Sequence, residues 1–252
     1  MGNEHNKSNH KFGLVGKSIS YSFSRGYFAK KFEKDNLNCS YVNFDLQSID
    51  ELNDVIKNTP NLKGLNVTIP YKEVVIPLLD GINKRAKKIG AVNTIRIKKG
   101  KLIGYNTDYY GFKKSLEPHL KSHHKKALIL GTGGASKAIA HVLKKLKIEF
   151  EFVSRTLRKG VKYSYDDLTT EIINQYKVII NCTPVGTFPD INKCPDIPYN
   201  GIGDEHILYD LIYNPERTKF LELGVVKGAT ILNGLRMLEL QAEKSWEIWN
   251  KS

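Results

Sequence analysis

Short apolar runs alternate along this chain with segments whose apolar residues recur at helical spacing. Residues 11–16, KFGLVG, read as a strand ending at a glycine. Phe28 and Phe32 stand four apart within 26–36 and mark one face of a helix. SYVNF (40–44) reads as a strand, and Ile49, Leu52, Val55 and Ile56 return to helical spacing. GLNVTI (64–69) reads as a buried strand that breaks at Pro70. Strand, helix, strand, helix, strand predicts a mostly parallel sheet covered by helices. AVNTIRI and KLIGYNTD flank KKG and predict a hairpin.

A second rhythm begins near residue 108. ALIL (127–130) is a buried strand that runs straight into GTGGAS. The helix after it carries Ala135, Ala138, Ile139, Val142, Leu143 and Leu146 on one face. EFEFV (149–153), VII (178–180), ILYDLI (207–212) and ATIL (229–232) supply further strands. A helix from about 234 to 250, with Leu235, Leu238, Trp246 and Trp249, closes the pattern. The fold class is therefore α/β in two units. They join near 105–110 without a long linker, so the junction is expected to be a helix.

Length and charge narrow the picture. At 252 residues the chain holds one large domain or two modest ones. No apolar run approaches the roughly 18 residues that span a bilayer. The opening decapeptide MGNEHNKSNH is polar, unlike a signal peptide, and reads as a frayed end or an added tail. Three scattered cysteines, Cys39, Cys182 and Cys194, lack metal-site spacing and suit a reducing cytoplasm. The net charge of +13 comes from 32 Lys and only 7 Arg. The clusters KKGK (98–101) and KSHHKK (121–126) carry no interleaved aromatics. Nucleic acid is not an expected partner; a lysine-solvated surface that steers small anions is. The seven histidines sit mostly in the tail and around 119–124 and read as solvated. No HExxH or Cys/His cluster is present, so no metal is expected.

Two segments carry candidate chemistry. In GTGGAS, Gly131, Gly133, Gly134 and Ala135 form a strand-to-helix turn that brings backbone N–H groups to a pyrophosphate. An NAD site would place a carboxylate about 20 residues on. Here that position holds Ser154, followed by Arg155 and Thr156. SRTLRK (154–159) therefore reads as a 2′-phosphate site, with Arg155 the principal contact and Arg158 or Lys159 a second. The other segment is NVTIPYK, where Lys72 stands just past an apolar strand. A lysine at that place is either a chemical group or one more solvated surface charge.

With GKSISYSFS, GLNVTIPYK, GAVNT, GYNTDYYGF, GTGGAS, SRT, NCTPVGT, YDLIYNPERTKFL and NGLRMLELQAEKSWEIW in this order, the sequence resembles the shikimate dehydrogenase family from about residue 12 to 250. The resemblance implies an N-terminal α/β substrate domain over 11–107, completed by the C-terminal helix 234–252. It implies a Rossmann-like NADP-binding domain over 108–233. The implied activity is reversible NADPH-dependent reduction of 3-dehydroshikimate to shikimate in aromatic amino-acid biosynthesis, with NADP the cofactor.

The same resemblance implies roles. Lys72 and Asp108 are the catalytic pair. Ser22 and Ser24, read as neighbours on a loop, bind the substrate carboxylate; Thr68 and Asn93 bond ring hydroxyls, and Gln241 is a further substrate contact. Tyr213 is a substrate-binding residue near the junction of nicotinamide and substrate, Gly234 and Met237 flank the nicotinamide, and Thr183 lines the cofactor. Tyr21 and Arg25 stand where the family has His and Pro, and Thr187 where it often has Met. Two other readings are a quinate/shikimate dehydrogenase of broader specificity and a non-catalytic NADP-binding regulator. Monomer and homodimer are both compatible with the sequence.

Overall fold

The computed structural model describes residues 9–19 and 22–251. In chain order the elements are β1 (His10–Gly16), α1 (Phe23–Lys34), β2 (Cys39–Asp45), α2 (Leu52–Asn58), β3 (Leu62–Val67), β4 (Gly81–Ile82), α3 (Lys84–Ile89), β5 (Thr94–Lys98) and β6 (Lys101–Tyr105). They continue as α4 (Asp108–Leu116), β7 (Lys126–Leu130), α5 (Gly134–Lys145), β8 (Glu149–Val153), α6 (Thr170–Gln175), β9 (Val178–Asn181), β10 (Ile207–Asp210), α7 (Lys219–Val226), β11 (Thr230–Leu232) and α8 (Leu235–Trp249). Two compact units result. One contains residues up to Thr107 together with Ala242 onward, the other Asp108–Gln241. No helix among the described residues is long and apolar enough to cross a membrane.

The first unit has a six-stranded sheet ordered β2-β1-β3-β5-β6-β4. β1 pairs in parallel with β2 and β3, while β5 runs antiparallel to β3 and β6. Lys99 and Gly100 turn the β5–β6 hairpin with φ of 51° and 74°, the paired left-handed geometry that suits strand twist. Period-two alternation sorts the apolar residues onto two faces. Val15, Leu65, Val67 and Ile95 pack on one, with Leu52 and Tyr71. Phe12 and Leu14 pack on the other with Phe28, Phe32, Tyr41, Ala242 and Trp249. Trp249 stacks on Phe12 at 4.8 Å between ring centroids, and its indole N–H donates to the Ile95 carbonyl at 3.0 Å.

The strand expected over 64–69 stops at Val67. The Thr68 N–H still bonds Val15 O (2.9 Å), but the Thr68 carbonyl accepts from Tyr71 N–H (2.8 Å), which turns the chain before Pro70. The Ile69–Pro70 peptide is cis.

The second unit has a five-stranded, all-parallel sheet ordered β11-β10-β9-β7-β8. Both faces are covered, so its strands are apolar throughout. Ile129, Ile180 and Tyr209 face Phe112, Ile139 and Met237. Leu128, Leu130, Ile179 and Leu208 face Ile173, Phe220 and Leu221. The two compact units divide at Gln241/Ala242, inside α8. Met237 belongs to the cluster around Phe112 and Tyr209, while Ala242 and Trp249 belong to the one around Phe12.

Two of the histidines read as solvated are buried. His124 Nδ1 accepts from Lys121 N–H (2.8 Å), and its Nε2 lies 3.0 Å from Glu205 O. His206 Nδ1 accepts from Gly203 N–H (3.0 Å), and its Nε2 lies 3.2 Å from Ile173 O. Each ring satisfies backbone groups that no side chain of aliphatic type could serve.

Candidate active site

In the first unit the candidate residues gather at the carboxyl ends of β1 and β3 and the start of α1. Only Ser22 ends a loop; Ser24 is already helical. Ser22 is the N-cap of α1, and its hydroxyl oxygen accepts from Arg25 N–H at 3.3 Å. Ser24 is in the first helical turn and buried. A cap that accepts keeps its own hydroxyl proton as a donor, and the first-turn amides favour an anion. Tyr21 lies outside the described residues; Arg25 is exposed on α1.

Thr68 and Lys72 follow β3, both half-buried. The segment is fixed from below. The buried Tyr71 hydroxyl donates to Leu46 O (2.7 Å), and Val92 N–H donates to Lys72 O (2.7 Å). Asn93 is buried between β3 and β6, and its side-chain oxygen accepts from Thr107 N–H at 2.6 Å and from the Thr94 hydroxyl at 3.1 Å. Its Nδ2 donates to Thr107 Oγ1 at 3.0 Å, so both ends of the amide are bonded inside the unit.

A buried polar network backs these residues. Asn66 donates through Nδ2 to Asn93 O (3.2 Å), Thr94 Oγ1 (3.3 Å) and Ser245 Oγ (3.0 Å). Its Oδ1 accepts from the Tyr41 hydroxyl at 2.8 Å. Sequence reasoning missed Asn66, Tyr41 and Ser245. One signal was there: Asn66 interrupts an otherwise apolar buried strand, where an amide persists only if fully bonded.

In the second unit the candidates lie at the carboxyl ends of the strands. β7 is flanked by β8 on one side and β9 on the other, which makes their outlet a topological switch point. Gly131 leaves β7 with φ of 98°, and a Cβ there would meet Thr183 Cγ2 at 2.9 Å. Gly133 is the N-cap of α5, and a Cβ built on it would touch nothing within 4 Å. That open space, above Gly134 and Ala135 in the first turn, admits a pyrophosphate to helix N–H groups. Thr183 is held by Asn181, whose Oδ1 accepts both its N–H (3.0 Å) and its hydroxyl (2.6 Å).

Arg155, Thr156 and Arg158 are exposed beyond β8, with Ser154 half-buried. Arg158 donates from Nη2 to the Thr132 hydroxyl, joining this loop to the glycine turn. No carboxylate occurs between Val153 and Lys162. The residues present fit a 2′-phosphorylated dinucleotide: donors and open space at the glycine turn, and guanidinium groups at the end of β8.

The remaining candidates are placed within the same unit. Asp108 is the first residue of α4 and buried. Tyr213 is half-buried, and Gly234 N–H donates to Ile212 O at 3.0 Å. Met237 is buried against Gly111. Gln241 is buried, and its side-chain amide donates to Leu238 O at 3.0 Å.

Asp210, which sequence reasoning passed over, ends β10 with no exposure. Its carboxylate accepts from Thr218 Oγ1 (2.7 Å), Ile212 N–H (3.0 Å) and Asn181 Nδ2 (3.0 Å). Burial nonetheless pushes it up to about 6. The residue thereby ties the loop that carries Tyr213 to the one that carries Thr183.

Comparison with known proteins decides the family. Residues 14–95 match the shikimate dehydrogenase substrate binding domain model. A shikimate dehydrogenase (NADP(+)) of Clostridium botulinum is 40% identical, covering 94% of this chain and 95% of its own length. The chain belongs to the shikimate dehydrogenase family. A solved shikimate dehydrogenase in complex with NADP+ superposes with a TM-score of 0.86 at 33% identity, over 98% of this chain and 92% of that one. A shikimate 5-dehydrogenase of Thermus thermophilus, in complex with NADP(H) and shikimate, gives 0.85 at 29% identity over 96% and 94%. The two-domain α/β architecture, with a Rossmann-like sheet in the second unit, is that of the family.

Proposed function

We propose that this family member is an NADP-dependent shikimate dehydrogenase, an oxidoreductase that reversibly reduces 3-dehydroshikimate to shikimate in aromatic amino-acid biosynthesis. The observation that carries the reading is the second unit's dinucleotide turn. Gly133 is open at the head of α5, and Arg155 and Arg158 stand where an NAD enzyme has a carboxylate. It occurs in a chain matched over 94% of its length to NADP-dependent relatives.

The first unit, with the end of α8, is the substrate domain in this reading, and the second binds the cofactor. The nicotinamide supplies the hydride. Lys72 donates the proton to the carbonyl oxygen and, as neutral amine, takes it back in oxidation. Asp108 is the second member of the catalytic pair and contacts a substrate hydroxyl. Ser22 and Ser24 donate to the carboxylate at the head of α1, where the helix end favours an anion. Thr68 and Asn93 bond ring hydroxyls, and Gln241 makes a further contact with the substrate. Tyr213 contacts the substrate near its junction with the nicotinamide, Gly234 and Met237 flank the nicotinamide, and Thr183 lines the cofactor. A cytoplasmic setting suits the three cysteines, all present as free thiols.

The test is absorbance at 340 nm with shikimate and NADP+, repeated with quinate and with NAD+. Turnover of shikimate with NADP+ above the other three pairings is expected. Preference for quinate with NAD+ would instead make it a quinate dehydrogenase, and no turnover with any pairing would leave a non-catalytic binder.

A further inference from the structure

We propose that Asp210 is a positioning residue for the cofactor: through Asn181 it holds Thr183 at the Gly131 turn, and through Ile212 and Thr218 it holds the loop that carries Tyr213. This rests on the reading of Thr183 as a residue that lines the cofactor.

Asp210 and Asn181 are register partners at the carboxyl ends of the neighbouring parallel strands β10 and β9, so their side chains leave the sheet side by side. Neither has any exposure. The surroundings fix which way the Asn181 amide points. Its Nδ2 donates to Asp210 Oδ1 at 3.0 Å and to Val185 O at 3.3 Å, and a carboxylate and a carbonyl can only accept. Its Oδ1 therefore faces Thr183, where it accepts the N–H at 3.0 Å and the hydroxyl at 2.6 Å. The Thr183 hydroxyl oxygen in turn accepts from Val185 N–H at 3.2 Å. With its hydroxyl so bonded, Thr183 turns its methyl to the glycine turn, 2.9 Å from where a Cβ on Gly131 would stand. The series from Asp210 through Asn181 and Thr183 to Gly131 has no gap.

The same carboxylate holds the neighbouring loop. Its Oδ1 also accepts from Ile212 N–H at 3.0 Å, one residue before Tyr213, and its Oδ2 accepts from the Thr218 hydroxyl at 2.7 Å. Thr218 is the N-cap of α7. Three donors thus converge on two oxygens. A carboxylate accepts from all three, whereas an amide in its place turns an NH₂ toward one of them.

Stability does not account for the charge. Burial outweighs these hydrogen bonds and pushes Asp210 up to about 6, so the ionised form is disfavoured in the folded protein relative to water. A neutral side chain of the same shape suits the fold as well but does not hold Asn181 and Thr218 in the same orientations. The carboxylate is explained by the geometry it imposes on the two loops.

The decisive experiment is Asp210→Asn, alone and in a Thr183→Ala background, read as Kd for NADP+ by titration calorimetry, KM for shikimate and Tm, all above the pH at which Asp210 titrates. Asp210→Asn should raise Kd for NADP+ about three- to tenfold, the range of one net hydrogen bond. KM for shikimate should move by less than about twofold, below that range. Tm should not fall, because the variant no longer buries a charge. In the Thr183→Ala background Asp210→Asn should change Kd by less than about twofold. A lower Tm with Kd unchanged would make Asp210 a structural residue only and overturn the proposal. An equal rise in Kd in both backgrounds would show that Asp210 does not act through Thr183, and the proposal falls while the reading of Thr183 stands. If Thr183→Ala alone leaves Kd unchanged, that reading falls and takes the proposal with it. A second measurement keeps Asp210 in place and does not depend on how the variant folds. NADP+ should move the Asn181 side-chain amide signals in the NMR spectrum of the unaltered protein, and should move them less in Thr183→Ala. Signals that ignore NADP+, or that move equally in both proteins, overturn the proposal.

Discussion

Arg158 donates from its guanidinium to the Thr132 hydroxyl, so the loop after β8 is fastened to the glycine turn. Arg155 stands exposed three residues earlier on the same loop. The two arginines are thus unequal, one holding the loop and one available to a phosphate. Arg155→Ala should lower kcat/KM for NADP+ about ten- to a hundredfold, the worth of one charge-assisted hydrogen bond. The value for NAD+ should stay near wild type. Thr132→Val, which releases Arg158, should cost less than Arg155→Ala. Steady-state kinetics with both cofactors decide it, and equal wild-type values for NADP+ and NAD+ would sink the assignment.

Ser22 has two tasks that can be separated. Ser22→Ala loses the helix cap and should destabilise the protein by about 0.5–2 kcal/mol. It should also raise KM for shikimate. Ser22→Asp restores the cap, because Asp caps as well as Ser. Its charge, however, meets the substrate carboxylate. Melting should therefore return to near wild type, while KM rises above that of Ser22→Ala. Recovery of both together would mean that Ser22 is a cap and nothing else.

Lys72 is held at its backbone by Val92 and through its neighbour Tyr71 by Leu46 O. Replacing its side chain should leave this scaffold intact. Lys72→Met should lower kcat about 10²–10⁴-fold, the usual contribution of a general acid. Affinity for NADP+ should be nearly unchanged. Lys72→Arg should rescue poorly, since guanidinium does not give up its proton near neutral pH. A folded Lys72→Met enzyme with a third or more of wild-type kcat would be falsifying; circular dichroism supplies the folding control.

His124 and His206 set an acid limit on stability. Burial, first, holds both rings below the usual histidine value of 6.5, helped by His123 beside His124 and Lys177 near His206. The unfolded chain then binds more protons below that value, so their contribution is present above pH 6.5 and is lost as the pH falls through it. Asp210 works the other way, because burial raises it to about 6 and it favours the folded state once protonated. The histidine effect is therefore read as a difference. Below pH 6.5, the unfolding free energy of wild type from urea titrations should fall faster than that of His206→Gln, by up to about 1.4 kcal/mol per pH unit for one proton. Parallel curves would mean that His206 stays neutral in the unfolded chain or charges freely in the folded one.

Much of the architecture was legible because it obeys simple periods. The apolar runs of β1, β7 and β9 and the helical spacing of α5 leave little choice of element. The Lys99–Gly100 turn is announced by its glycine, and the dinucleotide turn by its place between β7 and α5. Other features depend on partners distant in the chain. That Ser22 caps a helix is decided by Arg25 N–H, and nothing in YSFS distinguishes it from a loop. That β3 ends at Val67 follows from a carbonyl choosing Tyr71 over the ladder. His124 and His206 look like surface residues in polar segments, and only the backbone groups of Glu205, Gly203 and Ile173 explain their burial. α3, with the sequence KRAKKI, is too short and too charged to show a periodicity. Asn66, Tyr41 and Asp210 were visible as polar groups among apolar ones, but their partners were not.

The packing of Trp249 against Phe12 bears on the order in which the chain matures. The sheet that begins with β1 is completed by residues from Ala242 onward, whereas residues 108–241 form an uninterrupted stretch. During synthesis the second unit therefore has all its parts before the first does. Phe12, Phe28 and Phe32 must wait for the last helix to cover them. At about 5–20 residues per second, that wait is on the order of ten seconds. For that interval the nascent chain carries an unfinished aromatic surface, a natural target for chaperones and a point of vulnerability to aggregation. Truncating the final turns would make the delay permanent.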